Sequence, residues 1–418
     1  MRTAKDYAFI ARKITAVLFL SQGLSSAGFI AAFTVHALVG IELSGRPAMA
    51  GVPGAVYVLG QALGAFIWSY GMESMGRRRG IGSGQIIGAV GSIIAVWAIM
   101  ARSFPFFLAG LVFVGIARSA VDLGRFAAAE VHLPDSRGRA ISNVVLGSTV
   151  GAIVGPLLVG PMGRLAAGAG LAELAGSYLL SLAVLLAAAS LIFSGLRPEP
   201  RDIGREIAAM HAGQLPSRTA RPLRQIVRQP EIIAAGVTMI FAQMVMMVPM
   251  CITSVHMKMH LHSLTAISLV ISAHAVGMYA FSVLSGRMTD RLGRQTVIVM
   301  GSTLLAVSCL MGAPAVGFAP LVVSLFLLGV GWNFAYVAGS ALLADQLAPG
   351  ERARAQGLND FVLNLASAGS QAASGVIYAQ AGFGVMCLAA GAMALVPLCA
   401  VLWLHVPHRS AESSPAAE

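Results

Sequence analysis

Apolar positions run along this chain in long blocks, with neither the strict alternation of a strand nor the one-sided stripe of a soluble helix. Each block is close to the roughly 20 residues that a helix needs to cross a bilayer. Short polar intervals rich in Gly, Pro and Arg separate them. The pattern predicts twelve spans, near residues 12–36, 49–71, 81–101, 104–127, 140–162, 172–195, 232–255, 265–286, 296–314, 319–343, 356–379 and 384–406. The first reads as a span and not as a cleaved leader, because it is long and lacks a small-x-small site. One long polar stretch, 196–230, rich in Pro and Arg, divides six spans from six. The expected organisation is an all-α membrane protein of twelve transmembrane helices, with one six-helix bundle over 1–195, a cytoplasmic linker loop over 196–230 and a second bundle over 231–418.

Composition agrees with the pattern. At 57% hydrophobic and 11% charged residues, with mean hydropathy +0.79, the chain has too little polar surface to cover a soluble globule. The lipid bilayer is its expected partner. A net charge of +11 would suit nucleic acid, but the placement of the charge argues otherwise. When the spans are threaded alternately, Arg77, Arg78, Arg79, Arg137, Arg139, the arginines from Arg197 to Arg228, Arg287, Arg291, Arg294 and Arg354 share one side with both termini. Only Arg46, Arg102, Arg164 and Lys258 fall on the other. Positive charge collects on the cytoplasmic side, so both termini are expected there. Cys251, Cys309, Cys387 and Cys399 lie in or beside apolar spans without CxxC spacing and are expected to pack inertly.

The two halves repeat. GRMTDRLGRQ (286–295) follows span eight as SYGMESMGRRR (69–79) follows span two, and Glu73, Gly76 and Arg77 match Asp290, Gly293 and Arg294 at one offset. EVHLPDSRGRA (130–140) and DQLAPGERARA (345–355) form a second pair after spans four and ten. Duplicated bundles are a transporter signature. These loops need Gly for backbone reversal, a carboxylate to meet a helix N-terminus, and Arg to pair with acids such as Glu130 or Asp345. Such a cluster is expected to latch the cytoplasmic side; a solvated loop with no latch is the alternative.

The second loop resembles the GxxxDRxGR signature of the major facilitator superfamily, complete at Gly286, Asp290, Arg291, Gly293 and Arg294. The first copy departs from it, with Ser69, Glu73 and Ser74 in place of Gly, Asp and Arg. The resemblance spans the whole chain and implies two six-helix bundles working by alternating access in a bacterial inner membrane. No cofactor is implied, and a monomer is expected. No Walker loop, HExxH or nucleophile elbow is present in the sequence, so a primary pump or an enzyme has no visible chemistry.

Ionisable residues inside spans are costly and usually face a cavity. Arg118, Asp122 and Arg125 are predicted on one face of span four by their steps of four and three. Asp122 is a candidate proton carrier, and Arg118 would tune it or bind an anion; an ion pair that only sets packing is the alternative. Gly147, Gly151, Gly155 and Pro156 are similar to the glycine-proline motif of proton-coupled antiporters in the superfamily, although close helix approach explains them equally well.

Span seven holds Met246 and Met250, and span eight holds His274 and Met278. If the two spans turn near His262, Met250 and His274 are each twelve residues from the turn, and Met246 and Met278 sixteen. Four-residue spacing puts each helix's two residues on one face. Pro249 loosens the helix beside them. Three thioethers and an imidazole suit Cu(I) and not Mg or Ca. Met-xxx-Met followed by His-xxx-Met resembles the CcoA-like copper importers, a branch of the superfamily that supplies copper for cytochrome cbb3 oxidase assembly, and this implies copper import through these four residues. Methionine also fills gaps in ordinary cores. The outer run HMKMHLH (256–262) is a candidate metal collector or a wet loop. Related sequences in that branch resemble riboflavin carriers. The alternative is therefore proton-coupled uptake or efflux of a small organic solute, such as riboflavin or a drug, in a cavity lined by Trp332, Asn333, Tyr336, Asn359 and Asp360.

Overall fold

A computed structural model describes residues 4–133, 136–210, 221–347 and 349–405 of the chain. The backbone is helical almost throughout, as lipid requires of any segment that must satisfy its own amide groups. In the first half the helices are α1 (Ala4–Ser44), α2 (Val52–Met75), α3 (Arg77–Met100), α4 (Phe104–Asp122), α5 (Gly124–Glu130), α6 (Arg137–Leu157), α7 (Val159–Gly168) and α8 (Ala175–Gly195). The connection carries α9 (Pro200–Met210) and α10 (Leu223–Ile226), so the stretch expected as a loop is partly helical. Ile203 and Ile207 of α9 are buried. The second half holds α11 (Pro230–Met259), α12 (Leu264–Ala280), α13 (Ser282–Leu292), α14 (Arg294–Gly312), α15 (Phe318–Asp345), α16 (Pro349–Met393) and α17 (Leu395–His405). Residues 134–135, 211–220 and 348, parts of the predicted linker and paired loops, lie outside the described residues, as do 1–3 and 406–418, including the last residue of predicted span twelve.

Among the described residues ten helices are long and apolar enough to cross a membrane. The pair α12 and α13, bent by 40° at Phe281, makes an eleventh. The long segment Arg354–Val401 turns at Gly382, where φ is 79°, and so divides into two spans. Twelve spans result.

Local chemistry starts several of these helices. Pro at the first or second position opens α2, α4 and α11, where its missing N–H would have had no partner anyway. Ser263 caps α12 by accepting the Ala266 N–H at 3.2 Å. The bend after α12 frees the Met278 carbonyl, and Asn333 of α15 donates to it from Nδ2 at 2.6 Å and to the Ser282 hydroxyl at 2.9 Å. The expected packing role of Gly147, Gly151 and Gly155 is visible directly: a Cβ at any of them would strike the α1 backbone at Phe19, Gly23 or Ala27.

The halves meet closely at the end away from the arginine-rich loops. The α2 start at Gly51 lies against the Gln371 carbonyl of α16, and Gly375 lies against Ala48. Ser272 donates to the Ile153 carbonyl at 3.2 Å, and Arg164 reaches the Thr265 hydroxyl at 3.4 Å.

Candidate functional site

A cavity of about 210 Å³ lies between the halves. From the first half, Phe33, Tyr57, Gln61 and Arg118 line it. From the second come Met246, Met247, Met250, His274, Met278 and Tyr279, with Gln243, Trp332 and Asn364. The four sulfur and imidazole positions singled out by spacing thus share one wall. His274 is fully buried, and its Nδ1 donates to the Leu325 carbonyl at 2.8 Å. That bond places the ring proton on Nδ1 and leaves the Nε2 lone pair bare, without a partner. No group of three His, Cys, Asp or Glu side chains able to hold a metal occurs among the described residues, so any metal here would depend on the thioethers.

Charge enters the cavity from α4. The Asp122 carboxylate accepts from Arg118 Nε at 3.2 Å and from the Gln61 amide Nε2 at 3.2 Å, so Asp122 is held by two donors while Arg118 lines the space. Arg125 does not join them. About two helical turns beyond Arg118, it lines a second cavity of about 280 Å³. This cavity lies towards the arginine-rich end, since its Met239 precedes Met246 by two helical turns on α11.

The residues predicted to line an organic-solute cavity divide between these places. Trp332 faces the central cavity and donates to Gln243 Oε1 at 2.8 Å. Tyr336, Asn359 and Asp360 line the second cavity beside Arg125. Asn333 lines neither; it is 2% exposed and spends its amide on the bent helix. The Trp332 and Tyr336 rings stack at 4.8 Å and 19°, which joins the two cavities by one aromatic pair.

The predicted gate residues form pairs inside each half. Arg77 binds Glu130 through Nε at 3.0 and 3.1 Å and through Nη2 at 2.5 Å. Arg294 binds Asp345 at 3.0 Å and Asp290 at 3.2 Å. Gly76 and Gly293, at φ 88° and 89°, make the two equivalent reversals, a conformation that favours glycine. Glu73 does not take the place of Asp290: its carbonyl accepts from Arg201, and the carboxylate that meets the α3 N-terminus is Glu199, bonded to the Arg77 N–H at 2.5 Å and the Arg78 N–H at 3.3 Å. Gly286 has open space around it, and Arg291 is exposed. Among the described residues each of these ion pairs stays within one half. The outer histidines each bond a backbone carbonyl: His256 that of Ala315 at 2.9 Å, His260 that of His256 at 2.8 Å and His262 that of Val316 at 3.0 Å.

Spacing missed Tyr57, Gln61, Gln243, Tyr279 and Asn364. Amides inside apolar spans were a usable signal, because lipid penalises them. Glu199 carried none, since only folding brings it to α3.

The chain matches the Major Facilitator Superfamily over residues 18–260 and again over 236–418. It is 33% identical to the uncharacterized MFS-type transporter YddS of Bacillus subtilis over 94% of this chain and 91% of that protein. It is 32% identical to the riboflavin transporter RfnT of Brucella anthropi over 84% of this chain and 86% of that one. Its fold is similar to that of a D-xylose–proton symporter, with TM-score 0.74, 18% identity and coverage of 95% and 97%. With the duplicated bundles, the paired loops and a cavity between the halves, the chain belongs to the major facilitator superfamily of membrane transporters.

Proposed function

We propose that this protein is an alternating-access carrier for a small amphipathic organic solute with an aromatic ring system, of which riboflavin is the leading candidate. The arginine-rich end is the cytoplasmic one in this reading, and the conformation described here is closed towards the outside. The observation that carries the proposal is the central cavity itself. It offers about 210 Å³ walled by the rings of Phe33, Tyr57, Tyr279 and Trp332 and by the polar groups of Gln61, Arg118, Gln243 and Asn364. Few well-placed polar groups in a mainly apolar cleft suit an organic ligand. A dehydrated copper ion, by contrast, is enclosed by its own ligands and needs no space of this size. The 32% identity to a riboflavin transporter over most of both chains supports the same class.

Cu(I) is the second reading, favoured by one feature. His274, whose Nε2 is buried without a partner, lines the cavity together with Met246, Met250 and Met278. A metal-ligating imidazole characteristically gives its other nitrogen to a carbonyl, as His274 gives Nδ1 to Leu325.

Uptake into liposomes containing the purified protein separates the two. Trp332→Ala is expected to slow riboflavin uptake by about tenfold through the lost ring contact. Met246→Leu and Met250→Leu keep volume and remove sulfur, so riboflavin uptake should stay within about twofold. Copper accumulation that disappears in the leucine variants and in His274→Ala, with no riboflavin uptake by the parent protein, would reverse the order of the readings.

A further inference from the structure

A groove that neither reading of the cavity uses lies between α1 and α6 at the arginine-rich end, with about 370 Å³ of space. Arg12, Thr15, Ala16 and Phe19 line it from α1, Asn143 and Leu146 from α6, and His132 from the connection before α6. The two helices touch where a Cβ at Gly147 would strike the Phe19 carbonyl. Thr15 and Asn143 each stand one turn nearer the arginine-rich end than that contact, and Arg12 stands about two. Leu20, Leu146 and Val150 of the same helices are each about half exposed, so apolar side chains extend from the groove along the face these helices turn to the acyl chains.

The polar end of the groove lacks partners. Among the described residues Arg12 forms no ion pair. Glu130 is engaged by Arg77, and Glu206 accepts from the Tyr7 hydroxyl at 2.9 Å. Arg137 donates from Nε to the His132 carbonyl at 3.3 Å, which brings a second guanidinium to the same end. Thr15 is 8% exposed, and its hydroxyl is buried with no hydrogen-bond partner, although a helical threonine can usually return its proton to its own helix. No carboxylate is among the described residues that line the groove, so an ammonium head group would meet positive charge alone. A phosphate ester carrying acyl chains matches both ends, and basic pockets between helices at this depth suit anionic head groups.

We propose that this groove binds one anionic phospholipid from the leaflet at the arginine-rich end. Its phosphate sits beside Arg12 and gives the Thr15 hydroxyl an acceptor, Asn143 and Arg137 bound the head group, and an acyl chain runs along Phe19 and Leu146. The inference holds whichever solute the central cavity carries.

The test reads lipid binding and no transport. The full chain, stripped of lipid in detergent micelles, is offered phosphatidylglycerol and phosphatidylcholine of one chain length in equal amounts, and native mass spectrometry reads the ratio bound. The parent should favour phosphatidylglycerol by about tenfold. Arg12→Gln should cut that preference by about fivefold, the effect of one guanidinium at an anionic head group. Arg228→Gln, at an exposed arginine of the other half, removes the same charge and should leave the preference within about twofold. Ala16→Phe fills the groove and keeps every charge, so phosphatidylglycerol retention should fall by about threefold. A parent without preference, a preference unchanged in Arg12→Gln, or equal losses in Arg12→Gln and Arg228→Gln overturns the proposal; should Arg12→Gln fail to insert, unchanged retention in Ala16→Phe does so. Inorganic phosphate in large excess is the second arm. Bound lipid that stays in place supports a site for the whole phospholipid, and its complete displacement reduces the groove to an ion site and overturns the proposal.

Discussion

The two Gly-Arg loops descend from one pattern, and the copy that departs from the family signature is the better-sealed of the two. At residues 286–294 the signature is complete, yet Asp290 is 74% exposed and Asp345 48% exposed, so the pairs with Arg294 lie largely in solvent. At residues 69–77 three signature positions are replaced, yet Arg77 and Glu130 are only 21% and 27% exposed and the contact uses both Nε and Nη2 of the guanidinium. Glu199, contributed by the connection between the halves, then closes the α3 N-terminus. Around Gly293 there is open space, whereas a Cβ at Gly76 would meet the Glu199 carboxylate at 2.9 Å. A motif's completeness therefore did not rank its strength. What mattered was how many groups from elsewhere in the chain closed over it.

Substitution of the paired positions tests that ranking, with apparent thermal stability in one detergent as the readout. Gly76→Ala should cost most, about 3 kcal/mol, because it adds backbone strain to a displaced Glu199 cap. Gly293→Ala carries the strain alone and should cost about 2 kcal/mol; equal losses would break the comparison. Glu130→Ala leaves Arg77 partly buried without its partner and should cost about 2 kcal/mol, whereas Asp345→Ala should cost less than about 1 kcal/mol. Glu199→Gln removes the charge at the α3 N-terminus and should cost about 1 kcal/mol. A silent Glu199→Gln would mean that the connection contributes nothing to the seal. Asp290→Asn is expected to be smallest, about 0.3 kcal/mol, and to vanish in high salt.

The interior shows a related division. Met246, Met250, His274 and Met278 could be read as one set because i, i+4 spacing on two helices joined by a tight turn is a local property. Trp332 and Tyr336 have that same spacing, yet they serve different cavities. Arg125 follows the periodicity of Arg118 and Asp122, yet about two turns farther along the span it lines the other cavity. Asn333 looked like a substrate group because lipid penalises amides, but the penalty it relieves is that of the carbonyl freed at the α12–α13 bend.

The sequence by itself determined twelve helical spans, two repeated halves and the matching depths of Met250 with His274 and of Met246 with Met278. Bilayer thickness and helical pitch act on contiguous residues, so each of these follows from neighbours along the chain. Tertiary structure alone decided that Arg77 meets Glu130, 53 residues away, and that Glu199 reaches it across 122. It alone decided which cavity each polar side chain faces and at which end the halves close. Those outcomes depend on how preformed helices rotate and tilt against one another, and burial of a polar group is settled by partners that no local pattern contains.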